Sequence, residues 1–265
     1  MIGSFLNVCI SRLPQGKSVV KPRSHCPRCR AAIKPWDNIP VLSYVFLMGK
    51  CRACKARISP IYPAVEMVTG LLFLACYAAY GNSVVTAKWI AFCAILVVLA
   101  FTDWRERLLP DKVNFTGLAI GLLFSFFARP EDSTALWLAN HLFEFPPPTR
   151  VISFADALIG AIVGGGILWV IGEGYFRLRG REGMGLGDVK MMLMAGSFLG
   201  LRRTILTILI GAVLGMVFGG IFMLASRKGS DYELPFGTFL GAAAILVIFF
   251  GTPIIVWYQS LFQIR

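Results

Sequence analysis

The chain has 265 residues, of which 57% are hydrophobic and only 15% are charged, and its formal net charge is +12. This composition excludes an ordinary soluble domain and indicates a membrane protein. Residues 1 to 60 hold eleven Lys or Arg and one acid, Asp37, and so carry a net +10. Such a block is compatible with nucleic-acid binding, but beside a membrane helix it is more simply a cytoplasmic signal, and no nucleic-acid partner is expected.

The predicted elements begin with an apolar stretch at residues 1–10, which is too short to cross ~30 Å of hydrocarbon. We interpret it as the remnant of a first transmembrane helix. After the basic segment, seven apolar runs are predicted to span the membrane: 61–80, 84–102, 113–128, 155–176, 188–200, 203–225 and 236–258. The sequence therefore predicts an all-α polytopic membrane protein with about seven to eight transmembrane helices.

The basic segment contains two Cys-x-x-Cys motifs, HCPRC and CRAC, separated by residues 30–50. Four thiolates converging from two tight turns satisfy a tetrahedral Zn²⁺, and the spacing is typical of zinc ribbons. Disulfides or redox thiols are the alternative, and a reducing cytoplasm disfavours them. We predict a small cytoplasmic domain at 11–60, followed by a transmembrane domain at 61–265, with a structural zinc site made by Cys26, Cys29, Cys51 and Cys54.

Two acids have positions that local structure explains poorly. Asp103 ends the apolar run AILVVLAFTD, where the helix dipole disfavours a negative charge. Asp188 stands in GMGLGDVKMML, where capping a helix is the alternative explanation. Repeated glycine weighs against a mere cap, because it permits positive φ and close approach of another segment: Gly183, Gly185 and Gly187. Counting spans from a cytoplasmic 1–60 puts both acids at the cytoplasmic membrane face.

Other acids and glycines have structural explanations. Asp111 follows Pro110 and is expected to cap a helix, Asp156 suits the start of its helix, and Glu66 is favoured by the dipole near a helix start. Close helix packing in lipid accounts for the glycines at helical spacing: Gly211, Gly215, Gly219, Gly237 and Gly241.

If Asp103 and Asp188 meet in a partly dry cleft, they cannot both ionise cheaply, so one keeps its proton. The charged carboxylate can then deprotonate a water while the neutral one polarises a peptide carbonyl, as in aspartic proteases. Two other interpretations stay open: a non-catalytic zinc-bearing membrane scaffold, and an ion-coupled transporter with a broken helix at GLGD. Acids at the bilayer centre would favour the transporter, and acids at the cytoplasmic rim favour the peptidase.

Several segments, in this order, carry a family resemblance: GSFLNVCISRLP, the two cysteine motifs, PWDNIPVLSY, ISPIYPAVEMVTGLLF, TDWRERLLPD, REGMGLGDVKMMLMAGSFLG and LPFGTFLG. The chain resembles the type IV prepilin peptidases, the bifunctional leader peptidase and N-methyltransferases of bacterial inner membranes, which are aspartic proteases of the GxGD type. The resemblance implies that Asp103 and Asp188 are catalytic and that Gly185 and Gly187 support the catalytic loop.

The resemblance also implies the reaction and its partners. The family's substrates are pilin and pseudopilin precursors of type IV pili and type II secretion, whose basic leaders are cut on the cytoplasmic side, typically between Gly and Phe. The new N-terminus is methylated from S-adenosylmethionine, and the four-Cys domain is associated with that step. The sequence contains no glycine-rich strand-to-helix fingerprint for a nucleotide-like cofactor, and it indicates neither the residues that bind the methyl donor nor the oligomeric state.

Overall fold

A computed structural model of the chain describes residues 1–128, 148–181, 183–226 and 235–262. Within these ranges the regular structure is helical, apart from two isolated β-bridges in the cysteine segment and one 3₁₀ turn at Pro35–Asn38. The connections predicted around 129–147 and 227–234 lie outside the described residues. The α-helices follow in chain order: α1 (Ile2–Arg12), α2 (Leu42–Phe46), α3 (Ile61–Tyr80), α4 (Val84–Glu106), α5 (Asp111–Ser125), α6 (Thr149–Arg179), α7 (Leu186–Ser226) and α8 (Phe236–Phe262).

Five of the described helices are long and apolar enough to cross a membrane, namely α3, α4, α6, α7 and α8. Helix α5 has 15 residues and is shorter than the ~20 that a full span needs. Helix α7 covers the two predicted spans 188–200 and 203–225, and Gly200, at φ +71° and ψ 178°, interrupts it where the first of them was expected to end. The predicted all-α polytopic fold with an N-terminal four-cysteine cluster is confirmed.

Aromatic stacking and small residues hold the helices together. Phe92 of α4 stacks on Phe198 of α7 with ring centroids 4.6 Å apart. A Cβ at Gly160 of α6 would lie 2.6 Å from the carbonyl oxygen of Gly196 in α7, so only glycine permits this contact. Gly211 lets α7 approach α8, as its spacing predicted, because a Cβ there would lie 2.8 Å from Leu240.

The hairpin of α3 and α4 determines which ends of the helices lie together. Residues 81–83 are the whole connection, and the Ser83 hydroxyl caps α4 by accepting the N–H of Thr86 at 3.2 Å. Helices joined so tightly run antiparallel. The start of α3, which follows the cysteine segment, therefore lies at the same end of the bundle as Asp103 in the last turn of α4.

The acids given structural explanations differ from expectation in detail. Glu66 in the second turn of α3 accepts the backbone N–H of Val41 at 2.8 Å, a tertiary contact rather than a dipole effect alone. Asp111 does not cap α5, because Pro110 occupies the cap position and the Asp111 carboxylate binds Lys190 Nζ at 2.8 Å. Asp156 lies inside α6 rather than at its start, and its carboxylate packs against Gly200.

Candidate active site and metal centre

Asp103 lies in the last turn of α4 and is 5% exposed. Its Oδ2 accepts two hydrogen bonds from Thr238, one from the backbone N–H at 2.7 Å and one from the hydroxyl at 2.8 Å. Thr238 is in the first turn of α8, where backbone N–H groups have no partner within the helix. The N-terminus of α8 therefore offsets the unfavourable dipole at the end of α4.

Asp188 lies in the first turn of α7 and is 8% exposed. The helix begins at Leu186, so Asp188 is its third residue rather than its cap, and its N–H donates to the carbonyl oxygen of Gly185 at 3.1 Å. The carboxylate oxygen Oδ1 is buried without a hydrogen-bond partner. Because such an atom costs free energy until a donor or ligand reaches it, this oxygen indicates a binding position.

The two carboxylates converge at Gly237 in the first turn of α8. A Cβ on Gly237 would lie 3.0 Å from Asp188 Oδ1 and 3.2 Å from Asp103 Oδ2. The two oxygens are therefore no farther apart than the sum of these distances, and both border this position together with Leu109 Cδ1, which lies 3.0 Å from it. The sequence explained Gly237 by helix packing, whereas in the structure its missing side chain keeps the space between the acids open.

A cleft of ≈ 280 Å³ adjoins the carboxylates. Its lining comes from the last turn of α4, the connection to α5 with the first residue of α5, and the start of α7: Asp103, Arg107, Leu108, Leu109, Asp111, Gly185, Gly187 and Asp188. A water occupies about 30 Å³ of liquid, so the cleft has room for a water and a short stretch of extended peptide.

The glycines before Asp188 meet one of the two expectations placed on them. Gly187 permits a close approach, because a Cβ there would lie 3.1 Å from the Leu109 Cβ. The expected positive φ is wrong, since neither Gly185 nor Gly187 is among the residues with that conformation. Gly185 has open surroundings, with Asp188 Oδ2 3.8 Å from the position of a Cβ. At Gly187 the loop therefore needs glycine for space rather than for a left-handed backbone, whereas the surroundings of Gly185 would admit a side chain.

The four predicted zinc ligands form a cluster in which all sulfur atoms lie within 4.8 Å of one another: Cys26, Cys29, Cys51 and Cys54. The Sγ atoms of Cys26 and Cys54 are 3.8 Å apart. A tetrahedron with Zn–S bonds of ~2.3 Å has sulfur–sulfur edges of about 3.8 Å, so the cluster fits a zinc ion.

The two cysteine motifs have matching backbone structure. The N–H of Cys26 donates to Ala31 and that of Cys51 to Ala56, at 2.9 and 2.8 Å. The residue after each second cysteine, Arg30 or Lys55, has a φ of +57°. Each motif is thus a tight knuckle whose two thiols point the same way, the arrangement that a shared metal ion requires.

The local environment also favours the thiolate form at one ligand. Backbone N–H groups of Cys29 and Arg28 donate to the Cys26 sulfur and lower the pKa of that thiol to about 6. At Cys29 the Ala31 N–H also acts to lower the pKa, but desolvation and the neighbouring thiols outweigh it and raise the value to about 11. Cys26 is therefore favoured as a thiolate ligand, and a divalent cation would displace the proton of Cys29 on binding.

Comparison with known proteins identifies the family. Residues 1–80 match the Bacterial Peptidase A24 N-terminal domain, and residues 90–220 match the Type IV leader peptidase family. A prepilin leader peptidase/N-methyltransferase of Aeromonas salmonicida is 32% identical, with 98% of this chain and 91% of the relative covered. A protein of the same name from Pseudomonas putida is 33% identical, with 96% and 88% covered. The chain belongs to the type IV leader peptidase family.

Family membership confirms the resemblance and makes the chain a multi-pass membrane enzyme rather than a scaffold or a transporter. The two family matches are separated by residues 81–89, which are the connection between α3 and α4 and the start of α4. A relative from Myxococcus xanthus is 34% identical over 86% of this chain and 62% of its own length. No solved structure matches the chain.

Proposed function

We propose that this type IV leader peptidase cleaves the basic leader from type IV prepilins and pseudopilins at the cytoplasmic face of the bacterial inner membrane. It then N-methylates the new N-terminal residue, typically Phe. The observation that carries the cleavage step is the convergence of Asp103 and Asp188 on the open space at Gly237. The name prepilin leader peptidase/N-methyltransferase, carried by relatives that match nearly the whole chain, supports both steps.

The hydrogen bonds suggest different roles for the two carboxylates. Oδ2 of Asp103 accepts two donors from Thr238, an arrangement that stabilises a negative charge. Oδ1 of Asp188 has no donor, so a proton held there avoids burying a second charge beside the first. Asp103 is then the base, and Asp188 is the acid that donates a hydrogen bond to the scissile carbonyl oxygen.

Peptide hydrolysis follows from these roles. Asp103 takes a proton from a water lying between the carboxylates, and the hydroxide attacks the carbonyl carbon while Asp188 passes its proton to the carbonyl oxygen. Collapse of the tetrahedral intermediate breaks the C–N bond. The proton held by Asp103 goes to the leaving amine, and the proton of the gem-diol oxygen returns to Asp188, so the pair is restored.

The proposed orientation rests on charge. Residues 1–60 carry a net +10, which favours a cytoplasmic location for the cysteine segment. The antiparallel hairpin of α3 and α4 then puts Asp103 on the same side. Both acids occupy terminal turns of their helices rather than the middle of a span, which supports a peptidase at the membrane rim over an ion-coupled transporter.

We extend the proposal to the domain organisation and the cofactors. Residues 11–60 form a zinc-binding domain associated with methylation, and residues 61–265 form the peptidase domain. The four clustered thiols would hold Zn²⁺ as a structural ion that fixes both knuckles. S-adenosylmethionine would supply the methyl group, and no residue is assigned to it.

The proposal is tested by incubating the purified full chain in phospholipid vesicles with a type IV prepilin and labelled S-adenosylmethionine. Mass spectrometry should detect removal of the leader and label on the new N-terminal amine. A prepilin left intact by protein of normal abundance and metal content would contradict the proposal. As a matched acid-to-amide control, Glu173→Gln should cleave normally, because Glu173 forms a surface ion pair with the exposed Arg177 one turn away.

A further inference from the structure

The short helix α2 presents one strongly exposed apolar face. Leu42, Val45 and Phe46 are 55%, 64% and 81% exposed, and Met48, just after the helix, is 80% exposed. The spacing i, i+3, i+4 puts the three helical residues on one side. Large apolar side chains grouped in this way mark an interaction surface rather than a solvated one.

The opposite face of α2 is held by contacts within the cysteine segment. The Ser43 hydroxyl donates to the carbonyl oxygen of Ile39 at 2.7 Å. The ring of Tyr44 packs on Gly49, where a Cβ would lie 2.9 Å from the Tyr44 hydroxyl oxygen. These contacts fix the rotation of the helix, so its apolar face is directed away from the segment.

The position of α2 along the membrane helices supports a lipid contact. Val41, the residue before α2, donates its N–H to Glu66 in the second turn of α3 at 2.8 Å. Helix α3 has 20 residues, about the number needed to cross ~30 Å of hydrocarbon, so its second turn lies near the membrane boundary. The Ser4 hydroxyl of α1 also donates to Asn38 Oδ1 at 2.8 Å. Both contacts hold the start of α2 beside the end of α3 that lies near this boundary.

Charge favours lipid as the occupant. The segment that carries α2 has a net charge of +10 over residues 1–60, which attracts anionic headgroups. We propose that Leu42, Val45, Phe46 and Met48 form an interfacial anchor, which inserts into the headgroup–acyl boundary of the membrane that α3 crosses and holds the cysteine segment against its surface. A protein partner, either a substrate or a second copy of the chain, is the competing occupant.

A photo-crosslinking amino acid, p-benzoylphenylalanine, tests the proposal when it replaces Phe46 in the full chain. The protein is reconstituted in vesicles of phosphatidylethanolamine and radiolabelled phosphatidylglycerol, and is illuminated with and without an added prepilin. We expect crosslinking to lipid in both cases, at several times the level given by the same replacement of Tyr44 on the opposite face of α2. Metal content verifies that each variant is folded.

Crosslinking from position 46 to the prepilin or to a second copy, with no labelled lipid, would overturn the proposal. Equal lipid labelling from positions 44 and 46 would also contradict it, because the anchor requires one face. When phosphatidylcholine replaces phosphatidylglycerol, labelled phosphatidylethanolamine should crosslink less strongly to position 46. Unchanged labelling would refute the electrostatic contribution, whatever the catalytic activity of the protein.

Discussion

Thr238→Val removes one of the two donors that Thr238 supplies to Asp103 and leaves the other. The lost bond joins the Thr238 hydroxyl to Asp103 Oδ2 at 2.8 Å, whereas the backbone N–H bond at 2.7 Å survives. Asp103 is 5% exposed, so solvent screens this interaction little. A hydrogen bond to a charged group contributes about 1.5–3 kcal/mol, so we expect cleavage to slow by about 10- to 100-fold.

The assay measures kcat and KM for prepilin cleavage by the full chain in phospholipid vesicles. If Thr238 orients and stabilises the Asp103 carboxylate, the loss falls on kcat, with little change in KM. Thr238→Ser keeps the hydroxyl and the backbone N–H, so it should restore most of the rate. Full activity of Thr238→Val, or a loss confined to KM, would refute the reasoning.

Three further predictions concern the neighbouring groups. Gly237→Ala puts a methyl group 3.0 Å from Asp188 Oδ1 and should reduce the cleavage rate more than tenfold. The control Gly174→Ala, whose Cβ has no atom within 4 Å, should leave the rate unchanged. Similar rates in both variants would contradict the role of the open space. Cys26→Ser combined with Cys51→Ser should abolish zinc binding and impair methylation, as measured by metal analysis and a methyl-transfer assay, whereas the control Cys9→Ala should keep its zinc. Full methylation by the metal-free protein would refute the role of the domain. Lys190→Gln breaks a half-exposed ion pair with Asp111 that contributes about 0.2–1 kcal/mol, so the thermal unfolding temperature and the cleavage rate should change only slightly. A loss of activity as large as that of an Asp188 variant would contradict this surface role and show that the pair itself supports catalysis.

The sequence was informative where one residue conflicts with its local surroundings. Asp103 at the end of a helix conflicts with the dipole, and that conflict identified it before any partner was visible. The cysteine knuckles are local motifs, so their spacing alone predicted a cluster whose sulfur atoms lie within 4.8 Å. Apolar run lengths likewise predicted where helices lie, but the runs 188–200 and 203–225 form the single helix α7, and α5 is shorter than a full span.

Features that depend on distant segments were missed. The contact of Thr238 with Asp103 joins residues 135 positions apart. In the sequence, Thr238 is only a hydroxyl residue at the start of the apolar run that follows LPFG, and nothing there indicates that it bonds to Asp103. Gly237 has the spacing of a packing glycine, so its place between two carboxylates could not be distinguished from helix contact. Asp111 was expected to cap α5 because it follows Pro110. Its ion pair with Lys190 could not be predicted, because Lys190 belongs to another helix.

The most direct test of the central claim is a double-mutant cycle on the two aspartates, with prepilin cleavage measured for Asp103→Asn, Asp188→Asn and the combined variant. If the carboxylates activate one water together, each single variant loses almost all activity and the combined variant is no slower than either. Independent losses that multiply in the double variant, or normal cleavage by either single variant at normal abundance and metal content, would contradict the account.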